Sequence, residues 1–235
     1  MTNTTISSTI TRGVARWFVR EIFGTIMVAV ILFLSADRWD WVWGWATFIT
    51  VALWVIATAL VVYPKNPALL AERSGPRKGA KTWDTVIMIF VGTIILIIYI
   101  VAGFDARYGW TTNFPIWANI AGVMLTLLGY ALAVWATASN AFFSLIVRIQ
   151  TERGHTVATG GPYQFVRHPG YVGTILAYIG TPLILGSAIA IALGIVTALL
   201  IIARTALEDR TLIAELAGYT EYAARVRYRL LPGVW

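Results

Sequence analysis

Both histidines of the chain, His155 and His168, fall in one weakly apolar stretch, Gln150 to Gly173, set between two blocks of strongly apolar sequence. Polar side chains are costly in such a setting and mark sites where something is bound or made to react. Within the stretch, Gly160, Gly161 and Pro162 make a turn. Pro169 follows His168 as the first residue of a helix, where its missing N–H leaves nothing unsatisfied. The free N–H groups and positive dipole end of that helix favour an anionic group, and Arg167 adds to the attraction. A plainer reading makes Arg167 and His168 interfacial anchors. Farther along, Arg204 and Glu208 stand four apart and so share a helix face. A local salt bridge accounts for the pair alone. Facing a loop with two histidines, it instead completes a compact polar cluster in an apolar chain.

The same residues exclude other chemistries. With no cysteine, the chain holds no disulfide, thiolate metal ligand or thiol nucleophile. The separations of His155, His168 and Glu208 match no metal-ligand pattern, so no metal is expected. Ser139 and Ser144 lie in no nucleophile elbow, and no glycine-rich phosphate loop follows a strand.

The elements that must position the cluster are read from hydropathy. Of 235 residues, 58% are hydrophobic and 12% charged, against about a quarter charged in soluble domains. Mean hydropathy is +0.74. The expectation is an all-α integral membrane protein with about six transmembrane helices, at 17–36, 40–63, 83–104, 115–138, 171–186 and 188–204. The last two form a short hairpin, preceded by a cytoplasmic binding loop and followed by a C-terminal cytoplasmic helix carrying Leu212, Leu216 and Tyr219. Residues 1–11 read as a disordered head, and Arg12, Arg16 and Arg20 as the polar face of a surface helix. Trp39, Trp41, Trp43 and Trp45 read as an interfacial belt, and Ala68 to Arg73 as a helical turn in the basic connection 64–82. The whole is expected to be one membrane domain, 1–138 supplying the N-terminal spans and 139–235 the loop, hairpin and tail.

The formal charge of +7 raises nucleic acid as a partner, but the basic residues lie in loops, so no nucleic acid is expected. Six spans with both ends inside leave only Arg38 and Arg107, of 18 basic residues, on the far side. Both termini and the polar cluster are therefore expected to be cytoplasmic. The closing run Arg225, Arg227 and Arg229 reads as solvated or lipid-facing.

The order His-Thr-Val-Ala (155–158), Gly-Pro-Tyr (161–163), Arg-His-Pro-Gly-Tyr-Val-Gly (167–173), an apolar hairpin, Arg-Thr-Ala-Leu-Glu-Asp (204–209), Gly-Tyr-Thr-Glu-Tyr (218–222) and a final Leu-Pro resembles the isoprenylcysteine carboxyl methyltransferase family and related phospholipid methyltransferases. The resemblance covers about residues 140–235, with a weaker echo in Asn-Pro-Ala-Leu-Leu-Ala-Glu-Arg (66–73). It implies S-adenosyl-L-methionine as cofactor, held by Gln150, His155, Thr156, Val157, Ala158, Tyr163, His168, Pro169, Gly170, Tyr171 and Glu208. It implies that Arg204 meets the substrate carboxylate. Asp209 stands where relatives commonly carry a second glutamate. The implied acceptor is a lipophilic or prenylated molecule reached through membrane lipid, with the carboxylate of an isoprenylated cysteine as the family's usual one. A phospholipid N-methyltransferase, an NADPH-dependent reductase of sterol-like lipids and a non-enzymatic scaffold are the rival readings.

Overall fold

The computed structural model describes residues 3–75 and 79–235; Met1, Thr2, Arg77 and Lys78 of the segments read above lie outside the described residues. Its α-helices are α1 (Asn3–Ala36), α2 (Val42–Val62), α3 (Pro67–Arg73), α4 (Thr82–Tyr108), α5 (Ile116–Ala138), α6 (Pro169–Leu185), α7 (Ala188–Glu215) and α8 (Tyr219–Arg225). Five of these are long and apolar enough to cross a membrane: α1 from Ser8 onward, α2, α4, α5 and α7. Large apolar side chains on their outer faces, such as Leu34, Leu60, Ile89 and Trp117, stay exposed, as a lipid-facing surface requires. The protein is an all-α integral membrane protein. The sixth expected span, α6, has 17 residues, about 26 Å at 1.5 Å per residue against a core of about 30 Å.

Several expectations change. Residues 3–11 are not a disordered head but the start of α1, continuous with the first span. Composition argued for disorder, but packing carries the helix back. Val14 and Trp17 are buried against Val62, Leu69 and Leu70 with Ile10 alongside, and Ser74 donates from Oγ to the Gly13 carbonyl at 2.7 Å. The separate surface helix is thus the first part of α1, with Arg12 and Arg16 exposed. The helix after the hairpin also merges with its span. α7 runs unbroken to Glu215, about 42 Å, and ends before Gly218, which takes the left-handed φ of 79° that starts α8. The tryptophan belt is partial: Trp39 and Trp45 are exposed, whereas Trp41 is buried among Phe33, Ala36 and Ile98.

What holds the site is the α5–α6 contact. Gly122 and Gly129 on α5 lie against the backbones of Gly180 and Gly173 on α6, so closely that a Cβ at any of them would strike the other helix. Small residues allow such approach in a membrane, where packing rather than the hydrophobic effect drives association. Asn119 fixes the far end of α6 by donating from Nδ2 to the Ile184 carbonyl at 2.9 Å. Gly186, at φ 70°, then turns the chain into α7, whose first turn Ser187 caps through Ala190 N–H.

Candidate active site

The chain between α5 and α6 contains two 3₁₀ turns, Thr151–Arg153 and Gly161–Gln164. It folds over the site end of the bundle and, with the start of α6, the last third of α7 and α8, encloses a cavity. Of the predicted residues, His155, Thr156, Val157, Ala158, Tyr163, His168, Gly170, Tyr171 and Glu208 line it. Phe142, Phe143, Arg148, Leu212 and Tyr222 join them, though sequence reading passed over them because their position depends on the loop's path. Gln150 does not line it. Fully buried, it donates from Nε2 to the Phe142 carbonyl at 2.8 Å and accepts from Arg153, so it shapes the loop from behind. Pro169 is buried at the first position of α6, also outside the lining.

Asp209 is the hub that holds the start of α6 to α7 and to the tail. Its two oxygens accept from Arg167 Nε at 2.7 Å and Arg167 Nη2 at 2.8 Å, from Arg229 Nε at 2.7 Å and from the Tyr219 hydroxyl at 2.9 Å. His168 Nε2 is 3.1 Å from the same carboxylate. An ionised carboxylate only accepts, so Nε2 carries the imidazole proton. Arg167 also donates to the Val226 and Arg227 carbonyls, while Arg167 N–H and His168 N–H pair with the Tyr228 and Arg229 carbonyls at 2.9 Å each. Arg229 is therefore not part of a solvated run. Burial, together with the Asp209 charge, pushes the Tyr219 phenol well above its ordinary range, so it stays a donor.

A second network sits deeper. Arg204 is buried and does not line the cavity. Its Nε donates to Asp84 Oδ1 at 2.6 Å, Nη1 to the Tyr171 hydroxyl, and Nη2 to the Leu145 carbonyl at 3.3 Å. The guanidinium also lies 4.9 Å from the centroid of the Tyr171 ring. Tyr171 in turn donates to Glu208 Oε2, so the tyrosine bridges the arginine and the glutamate. The direct Arg204–Glu208 bridge suggested by spacing is replaced by this relay. Asp84, fully buried in the first turn of α4, also accepts from Val147 N–H at 2.8 Å. Nothing nearby in the sequence marked it, because a carboxylate in a helix's first turn already suits the dipole.

In the outer loop, half-buried His155 accepts at Nδ1 from Gln150 N–H at 3.2 Å and packs on Phe142 with ring centroids 4.6 Å apart. Burial, then the nearby Arg148 and Arg153, lower its pKa below the usual histidine value. Both effects keep it neutral, as the hydrogen bond at Nδ1 requires.

Residues 121–214, from α5 through nearly all of α7, match the model of the isoprenylcysteine carboxyl methyltransferase (ICMT) family. Over that region the chain is similar to the family. Among curated proteins, the chain is 34% identical over 125 residues to protein-S-isoprenylcysteine O-methyltransferase B of Arabidopsis thaliana, covering 51% of this chain and 59% of that protein. It is 36% identical over 72 residues to the Xenopus laevis protein-S-isoprenylcysteine O-methyltransferase and 33% over 72 residues to the human one, covering 24% and 25% of their lengths. The chain thus spans little more than half of the plant relative and about a quarter of the animal ones. The family match holds Tyr171, Arg204 and Glu208 but stops short of Asp84 and Arg73.

Proposed function

We propose that the protein transfers a methyl group from S-adenosyl-L-methionine to a lipid-tailed acceptor, the carboxylate of an isoprenylated cysteine being the acceptor class. The carrying observation is the convergence on one cavity of His155 to Ala158 from the loop, His168, Gly170 and Tyr171 from the start of α6, and Glu208 from α7. The names of the relatives favour methyl transfer over reduction.

The lining residues suit this cofactor. Glu208 supplies an anion and the rings of Phe143 and Tyr171 supply π faces, both favourable to a sulfonium, while Gly170 at the start of α6 offers its backbone N–H to a carboxylate. Bound there, the cofactor supplies a methyl already activated on cationic sulfur, so an ionised carboxylate needs alignment rather than a proton acceptor. Arg204, committed on all three nitrogens, acts in this reading as a positioning residue: it fixes Tyr171, which fixes Glu208. His168, oriented through Asp209, forms the wall at the helix start.

The acceptor's tail has a place of its own. A second, mainly apolar cavity lies among α1, α2, α4, α5 and α6, lined by Val28, Val51, Trp54, Ile95 and Ala177, with Tyr99, Tyr130 and Tyr178 and with Glu21. A lipid chain would enter it sideways from the bilayer while the water-soluble cofactor enters from the loop side. The bias of basic residues puts that loop side, with both termini, in the cytoplasm. The test is transfer of labelled methyl to N-acetyl-S-farnesylcysteine, compared with phosphatidylethanolamine. Labelling of the cysteine derivative supports the reading; labelling of phosphatidylethanolamine alone rejects it in favour of an N-methyltransferase.

A further inference from the structure

Arg73, the last residue of α3, is a half-buried cation with no ion-pair partner among the described residues. Its Nε is buried without a hydrogen-bond partner, and Nη1 reaches only the Thr137 hydroxyl at 3.4 Å. Among the described residues no carboxylate comes within ion-pair distance of it. Neighbouring Glu72 is turned to Arg148 and Ser144, and Glu21 to Arg20. Burial pulls the guanidinium down to about 10, a cost that the nearby Glu21 charge offsets only in part, although the group remains a cation at neutral pH. A guanidinium with its Nε buried and unpaired is costly unless an anion arrives to meet it.

Its position says which anion. The guanidinium lies 5.6 Å from the ring centroid of Phe143, which lines the polar cavity. Its hydrogen-bond partner Thr137 stands one turn along α5 from Ala133, which lines the apolar cavity, as does Glu21. Arg73 lines neither cavity itself but lies between a lining residue of each. Arg20 locks the end of α3 there by donating from Nη1 to the Arg73 carbonyl at 2.6 Å.

We infer that Arg73 is the binding residue for the acceptor's carboxylate, holding it where the apolar cavity takes the tail and the polar cavity takes the methyl donor. This assignment rests on the proposed acceptor and moves the carboxylate contact from Arg204, whose three nitrogens are all occupied, to Arg73, whose Nε has no partner and whose Nη1 makes one long bond. Planar guanidinium suits two-point contact with a carboxylate, which a lysine cannot reproduce.

The test measures binding to the full chain in detergent for wild type, Arg73→Gln and Arg73→Lys, using N-acetyl-S-farnesylcysteine, its carboxamide and S-adenosylmethionine. Wild type is expected to prefer the acid. Arg73→Gln should weaken the acid on the order of 10- to 100-fold, the size of a lost charged hydrogen bond, with Arg73→Lys in between. Affinities for the carboxamide and for S-adenosylmethionine should hold, which also reports that the variants are folded. A wild-type preference for the acid that survives in Arg73→Gln overturns the inference and leaves the acceptor reading standing. Equal loss of acid and carboxamide overturns it as well, since that pattern belongs to a packing role. No preference for the acid in wild type overturns the acceptor reading and the inference together.

Discussion

Asp84 in the first turn of α4 and Arg204 in α7, 120 positions apart, meet through Asp84 Oδ1 and Arg204 Nε at 2.6 Å with both side chains buried. The pair lies behind the cavity, and its effect reaches the lining through Tyr171 and Glu208 and through the Asp84 bond to Val147 N–H. Asp84→Asn should therefore weaken S-adenosylmethionine by about 10-fold without replacing a lining residue, because a charged hydrogen bond is worth about 1.5–3 kcal/mol. Arg204→Lys keeps the charge but loses the three-way reach, and should cost a similar factor. The double variant should be little worse than either single one, giving a coupling energy of about 1 kcal/mol or more in a binding cycle. Simple additivity would mean that the two residues act separately.

Glu208 is half-buried at the cavity wall, so replacing it opens no core void. Glu208→Gln should reduce S-adenosylmethionine affinity by about 10- to 100-fold while the melting temperature in detergent stays within a few degrees of wild type. Unchanged affinity, read by calorimetry, would remove Glu208 from the cofactor site. Tyr171→Phe deletes only the bridging hydroxyl and should fall between wild type and Glu208→Gln.

A pH dependence follows from His155. Its pKa is lowered in the folded loop by burial and then by Arg148 and Arg153. The unfolded chain therefore binds this proton more readily than the native one. The stabilising contribution is present above the ordinary value of about 6.5 and is lost as pH falls through the lower native value. Protonation at Nδ1 also breaks the bond from Gln150 N–H and puts a cation beside a cationic cofactor. Repulsion of about 1 kcal/mol gives a loss of affinity on the order of 5-fold once pH has fallen below the native value. In His155→Gln the profile should be flatter; an unaltered profile would assign the titration elsewhere.

Asp209→Asn should act on stability first. It leaves two arginines and a histidine around a neutral amide and loosens the tail from α6, and breaking a buried charge pair costs about 3–5 kcal/mol. Thermal inactivation should come markedly earlier, and limited proteolysis should cut first after Arg225 or Arg227, which are exposed. Wild-type resistance in both assays would show that the tail is held by its backbone bonds alone.

These relations mark where the sequence was readable. The helix start at Pro169, the turn at Gly161 and the apolar runs of α2, α4, α5 and α6 depend on short-range chemistry and agree with the structure to within a few residues, whereas α1 starts earlier and α7 ends later than expected. Residues 155–158 and 168–171 could be grouped as one site because a short loop leads into one helix. Asp84 could not be joined to Arg204, nor Arg229 to Asp209, since each pair is made by helix packing between distant segments. The four-residue spacing of Arg204 and Glu208 suggested a direct bridge, and only the side chain of Tyr171 standing between them revealed a relay. The start of α1 was misread for the same reason: Ser and Thr are weak helix formers, and the contact with α3 that carries them is invisible in composition.

The central claim, that this cavity is built for a sulfonium methyl donor, is tested most directly by calorimetric titration of the purified full chain with S-adenosylmethionine and, separately, with NADPH. The account predicts saturable binding of S-adenosylmethionine at one per chain, abolished or strongly weakened in Glu208→Gln, and no binding of NADPH. Saturable binding of NADPH with none of S-adenosylmethionine would contradict it.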